Sequence, residues 1–201
     1  NFCDSDKTTK EAKKKIIKDQ SLLYIFVCNP MMVKYGPVLG YAWLPIQRTE
    51  GSVELEGIAI RHTTLPGGSE TNYDLGATCV HEMGHYLGLE HTFEGGCEPP
   101  GDGIDDTPPE ACPSWKCVET DSCPLAPGLD SIDNYMNYTP DACMNKFTPG
   151  QIDRMRENVL IYHRNFKPIN RNLRETNDEL LNGLIDRALI GAESATIDGS
   201  T

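Results

Sequence analysis

No stretch of the 201-residue chain approaches the roughly 18–20 consecutive apolar residues a membrane-spanning helix requires. Positive charge is also scarce. Against 30 Asp and Glu stand only 18 Lys and Arg, a formal net charge of −12, which argues against nucleic acid or an anionic membrane as a partner. There is no Cys-x-x-Cys pair, so a second, thiolate-bound metal site has no sequence support. No internal repeat is visible. The chain opens on Asn1 without a recognisable signal peptide, and reads as a processed or trimmed product whose missing leader says nothing about compartment.

Cysteine, by contrast, is plentiful. Eight are present, and five fall within Cys97–Cys143, a Pro-, Gly- and Asp-rich stretch with little apolar content of its own. Such a stretch needs covalent staples, which persist in an oxidising compartment, so a secreted chain is expected. Eight cysteines allow 105 pairings, and the residues alone do not choose among them. The length suits one ordinary domain with a short appendage, and a hydrophobic fraction of 38% can supply its core.

The most informative stretch is His81-Glu82-Met83-Gly84-His85-Tyr86-Leu87-Gly88-Leu89-Glu90-His91. His81 and His85 stand four apart, which on a helix puts both rings on one face, one turn above the other. That separation suits two imidazoles gripping one Zn²⁺ at roughly 2.0–2.1 Å. Glu82, one residue round the helix, stands beside the metal, where it can accept a proton from water. Gly88 lets the backbone leave the helix through a conformation costly for other residues, and His91 can then return as a third ligand. Three neutral imidazoles leave one position open, the layout of a catalytic rather than a closed structural site. With five positions fixed, a chance match has a probability of about one in ten thousand or less, which outweighs an amphipathic helix with incidental surface histidines.

Around this centre the pattern is that of an α/β (α+β) fold with a twisted mixed sheet behind the metal helix. Residues 5–20 read as an amphipathic helix with a solvated basic face, and Leu22–Cys28 as a buried strand. Leu39–Leu44 and Val53–Ile60 read as further strands. Val53–Ile60 is the candidate sheet edge over the cleft, open to an added peptide strand, with an interior strand as the alternative. The metal helix is expected from Tyr73 to about Leu87, capped by Asn72 or Asp74. Gly101–Pro108 carries Asp102, Asp105 and Asp106 with Thr107 and is a candidate calcium loop, although its spacing is not that of an EF-hand and a solvated acidic turn is the alternative. Thr148, Pro149 and Gln151 form a capping box opening a last helix, with Ile152, Met155, Val159 and Tyr162 on its core face. Beyond Pro168, Leu180, Leu181, Leu184, Ile185 and Leu189 suggest a short helix before a Ser/Thr/Gly tail.

Asp133-Asn134-Tyr135-Met136-Asn137-Tyr138 follows the third histidine. Together with the extended histidine motif it resembles the methionine turn of the metzincin metallopeptidases. The runs LGYAWLP (39–45), YDLGATCVHEMGHYLGLEHTFEGGC (73–97), GDGIDDTPPE (101–110) and DNYMNYTPDACMNKFTPGQ (133–151) are similar to the pappalysin family and its secreted, ulilysin-like members. The resemblance implies a zincin catalytic domain over 1–168, its upper half formed by residues 1–88 and its disulfide-stapled lower half by residues 89–168, followed by an extension over 169–201. It implies zinc on His81, His85 and His91, Glu82 as general base and acid, and Met136 as an apolar floor beneath the metal. It further implies Tyr138 as a donor to the developing oxyanion, calcium near the acidic loop, and disulfides Cys97–Cys123 and Cys117–Cys143. Cys3, Cys28, Cys79 and Cys112 lie outside that pattern.

The expected activity is zinc-dependent endopeptidase hydrolysis of a protein or peptide substrate by a secreted monomer. The rival is a zinc-holding adhesion or binding module without turnover, which loss of Glu82 or a histidine would have favoured. Asp130 and Asp133, in the segment Leu129–Asn134, are expected to wall the specificity pocket and select basic residues. The sequon Asn137-Tyr138-Thr139 lies inside the methionine turn, where a glycan would collide with the metal floor, and is expected to be unmodified.

Overall fold

A computed structural model describes residues 13–19, 21–28, 32–33, 36–47 and 56–163. The segment 169–201, and with it the expected terminal helix, lies outside the described residues, as do the beginning of the expected 5–20 helix and residues 53–55. Residues 13–16 are helical. Five short strands follow: β1 (Ile25–Cys28), β2 (Met32–Val33), β3 (Gly36–Pro37), β4 (Gly40–Tyr41) and β5 (Ile58–Arg61). Two longer helices carry the rest, α1 (Ala77–Tyr86) and α2 (Pro149–Tyr162).

The main sheet has the order β1-β5-β4. β1 runs parallel to β5 with Ile25 opposite Ile58, and β4 runs antiparallel to it with Tyr41 opposite Ala59. β5 is therefore the central strand. Ile58, Ala59 and Ile60 are fully buried, the continuous apolar run that burial on both faces demands. This decides for the interior alternative: in the described sheet the edge over the cleft is β4, not the strand ending at Arg61. β1 departs from expectation in the other direction. It is an outer strand of the described sheet, and Ile25 and Val27 point outward, about half exposed. β2 and β3 form a separate hairpin.

α1 packs across β5 and β4. Its core face joins Ile58, Leu87, Leu89, Ile104, Met136 and Met155 in one cluster through Tyr86. Met155 comes from α2, whose start is the expected one. Thr148 Oγ accepts from Gln151 N, and Gln151 Oε1 accepts from Thr148 N, a complete capping box with Pro149 in the first turn. Ile152 and Val159 pack on the core as their spacing predicts, whereas Tyr162, at the frayed end, is exposed.

Residues 92–147, between the third histidine and α2, contain one isolated bridge, Asn134 to Lys146, and are otherwise turns. Two disulfides staple them, Cys97–Cys123 and Cys117–Cys143, the pairing the resemblance implies. Cys28 is disulfide-bonded as well, while Cys79 and Cys112 are free thiols. None of the described helices is long and apolar enough to cross a membrane.

Candidate metal centre and catalytic cleft

α1 begins four residues later than expected. Asn72 and Asp74 do not cap it: its N-cap is Gly76, in the left-handed region at φ 96° and without a side chain. The missing acceptor comes from far along the chain. Asp141 Oδ2 accepts from Leu75 N at 2.9 Å and Ala77 N at 3.2 Å, and Asp141 N donates to Asn72 O at 2.8 Å. The turn after Met136 is thereby sewn to the start of the ligand helix.

At the other end Gly88 has φ 96°, and a Cβ there would collide with Asn158, whose amide donates to Leu87 O at 2.9 Å. Left-handed backbone and close packing both require glycine here. The chain turns back, and the side-chain nitrogens of His81, His85 and His91 come within 4.8 Å of one another. His81 Nδ1 donates to Tyr135 O and His85 Nδ1 to Leu89 O, each at 2.7 Å. Fixing the Nδ1 protons leaves Nε2 as the free lone pair. His85 Nε2 then faces His91 Nε2 at 3.0 Å. Two nitrogens bound tetrahedrally to one ion at ~2.1 Å would be about 3.4 Å apart, close to that separation. Burial, together with the neighbouring rings, pushes His81 well below its ordinary pKa and His91 down to about 3. All three imidazoles are held in the neutral, ligating form, and the donor set fits Zn²⁺.

Glu82 is buried beside the trio, and burial pushes its carboxyl up to about 8. Its Oε2 has no hydrogen-bond partner. A buried carboxylate oxygen left without a donor is costly in a merely structural role. Met136, fully buried, packs beneath α1 against Gly84, whose Cβ position its sulfur occupies. Tyr138 Oη lies 2.9 Å from His91 Nε2, and its ring packs against Phe93 and Trp115. Its carbonyl accepts from Tyr73 Oη at 3.0 Å, and burial pushes its phenol up to about 12.

Asn137, between Met136 and Tyr138, is the hub of the turn. Its Oδ1 accepts from Ser114 N and Tyr138 N, and its Nδ2 donates to Glu110 Oε2 and Ser131 O. The nitrogen a glycan would occupy is buried and doubly bonded, in line with an unmodified sequon. Asn134 Oδ1 accepts from Met136 N and from Gln151 Nε2, which ties the turn to the cap of α2.

The calcium reading finds no support. Asp102 accepts from Thr107 Oγ and Ile104 N, Asp106 Oδ2 accepts from Gly150 N in the first turn of α2, and Asp105 faces solvent. Among the described residues the histidine trio is the one group of three or more His, Cys, Asp or Glu side chains that converges. The acidic loop docks α2 instead, helped by Arg154, which donates to Gly103 O at 3.0 Å.

The pocket expectation also fails. The cleft, about 500 Å³, is lined by β4 and its neighbours, α1 and the segment 137–144, and neither Asp130 nor Asp133 reaches it. Asp130 accepts from Ser122 N and Oγ, and Asp133 pairs with Lys146 at 2.8 Å. Sequence reasoning missed Gly40, Gly84, Glu110 and Asp141. Only Gly84 carried any local signal, as a glycine inside a helix with nothing to break.

A helix bearing two ligands, a glycine exit to a third and a sulfur floor define the class, a zincin of the metzincin type. The chain belongs to the peptidase M43 family, described as pregnancy-associated plasma protein-A, whose profile matches residues 6–160. An extracellular metalloprotease of Podospora anserina is 42% identical over 173 residues, 82% of this chain and 57% of that protein. One of Pyricularia oryzae is 51% identical over 121 residues, 60% of this chain and 43% of that protein. Among solved structures, mirolysin in complex with compound 9 matches with a TM-score of 0.58 at 33% identity, covering 82% of this chain and 59% of that one. The chain thus spans about half the length of these relatives.

Proposed function

We propose that the chain is an extracellular zinc-dependent endopeptidase in which Glu82 is the general base and acid. The observation that carries the reading is the arrangement of ring nitrogens. Two Nδ1 protons are pinned to carbonyls, the ligating nitrogens of the three rings lie within 4.8 Å of one another, and a carboxylate oxygen without a partner lies beside them. A Zn²⁺ held by His81, His85 and His91 would supply Lewis acidity to a peptide carbonyl and to water.

The chain's own residues account for the rest. Among the described residues β4 pairs with β5 on one side only, and Gly40 and Tyr41 line the cleft, so an extended substrate can add there as a strand. That registers its scissile bond over Glu82. The carboxylate takes a proton from the attacking water and passes it to the leaving amine. Tyr138, neutral well beyond physiological pH, is a donor to the developing oxyanion once the His91 lone pair is engaged elsewhere. The extracellular assignment rests on the relatives' names and on the disulfides.

The test is cleavage of unfolded casein by the zinc-loaded chain, with and without a chelator, alongside Glu82→Gln. Hydrolysis should vanish on chelation and return with zinc. Glu82→Gln should retain its zinc while losing several orders of magnitude in turnover. Wild-type rates in that variant would refute the role given to Glu82.

A further inference from the structure

We propose that Trp115 is a substrate-binding residue of the cleft, its indole packing on an extended peptide laid along β4 and holding it over the metal centre. The inference rests on the peptidase reading above and adds the side chain that grips the substrate.

Main-chain pairing with β4 exchanges hydrogen bonds to water for hydrogen bonds to protein, and so contributes little net affinity. Apolar contact has to supply the rest, and Gly40 offers no side chain for it. Of the described residues lining the cleft, Pro37 and Trp115 alone are exposed. Trp115 is 61% open to solvent. Apolar residues exposed singly are ordinary on a protein surface, but two observations set this one apart. The indole leans on the metal centre, its ring 5.1 Å between centroids from that of Tyr138, whose hydroxyl lies 2.9 Å from His91 Nε2. Its backbone is also fixed on both sides. Ser114 N donates to Asn137 Oδ1 at 3.0 Å, in the turn that carries Tyr138, and Cys117 is bonded to Cys143. A large aromatic face is thus held in place by its neighbours and left open, so little ordering is lost when a guest covers it. Indole rings anchor binding surfaces for this reason, since they bury much area with few rotatable bonds.

Two hydroxamates test this on the zinc-loaded chain: acetohydroxamate, which reaches the metal alone, and a tryptophan-free tripeptide hydroxamate, which also lays a peptide in the cleft. Saturation with the peptide compound should move the emission of Trp115 to shorter wavelength as the ring loses water. The shift is read as the difference between the unaltered chain and Trp115→Phe, which keeps only Trp43. In calorimetric titration Trp115→Ala should bind the peptide compound about 10-fold more weakly, or worse, and acetohydroxamate as before. Trp115→Phe should recover most of the loss. An emission that stays put on saturation would overturn the proposal, whatever the variants do. So would peptide binding that Trp115→Ala leaves intact, or failure of the peptide compound to bind the unaltered chain. Equal losses for both compounds would give the indole a structural part and overturn it too. Tight binding with the emission shift but no cleavage of casein would sink the peptidase reading and leave this one standing.

Discussion

Glu82 lies directly beneath Gly40: a Cβ built on that glycine would stand 2.5 Å from Glu82 Oε1 and 2.6 Å from its Cγ. Gly40 is not in the left-handed region, so its backbone would accept any residue. The glycine is required for space, at the edge strand where the substrate would lie. Gly40→Ala should displace the carboxylate by a good part of an ångström, and misplacement of that order costs about 100-fold in turnover. Zinc content should be unchanged, since the three atoms nearest the new methyl group all belong to Glu82. Kinetics together with metal analysis reads both. A loss of less than about threefold would mean the carboxylate is not held by this contact.

Asp141 does for α1 what a local N-cap does elsewhere, from 64 residues away. Removing a cap acceptor typically costs about 1–2 kcal/mol, or roughly 2–8 °C in Tm for a domain of this size. Burial already pushes the Asp141 carboxyl above its ordinary range, so ionisation itself adds little. Asp141→Ala should therefore lower the Tm of the metal-free chain by that amount, and Asp141→Asn, which keeps an acceptor, by markedly less. Thermal unfolding of the two variants separates acceptor from charge. Equal losses would show that the charge carries the effect.

The features of the centre that could be read from the chain are those whose geometry is local. Four residues make a helical turn, so His81 and His85 declare a shared face. Thr148 and Gln151 are three apart and cap each other. Gly88 announces the exit that brings His91 round. The disulfides came from family resemblance, because spacing leaves their pairing open. What could not be read depends on partners remote in sequence. Nothing near Asp141 says that it caps α1, and Asp130 looks like a pocket acid until Ser122 is found on it. The run ending at Ile60 reads as a sheet edge with an interior strand as the alternative, because a strand does not encode its neighbours. The partners of the acidic loop were hidden for the same reason, since Asp102 serves Thr107 and Asp106 the start of α2.

Glu110 is fully buried, with its carboxyl accepting from Ser131 N and Asn137 Nδ2, and burial pushes its pKa above the ordinary 4.5. A carboxyl raised on folding binds more protons folded than unfolded, so its contribution is full below the unfolded value and is lost as pH rises through the folded one. The urea midpoint of the metal-free chain, compared with that of Glu110→Gln between about pH 4 and 7, isolates this group. The advantage of the unaltered chain should be largest at the acid end and shrink upward. A difference that grows with pH would contradict the assigned direction.

Gly84 and Met136 form the tightest seam between the ligand helix and the turn beneath it. Glycine within a helix is ordinarily a weakness, and Gly→Ala there is worth about 1 kcal/mol in favour of alanine. Here the Met136 sulfur occupies the space the methyl would need, and Phe147 closes the other side. Overpacking of a buried contact costs about 1–3 kcal/mol, so the steric effect should win and Gly84→Ala should destabilise. Met136→Ala leaves a cavity under the same helix and destabilises by about 2–5 kcal/mol. In the double variant the added methyl enters the vacated space, so the losses should fall short of additive by more than about 0.5 kcal/mol. Urea denaturation of the four metal-free proteins measures that coupling. Strict additivity would mean the helix and the turn adjust independently, and Gly84 would then be an ordinary helical glycine.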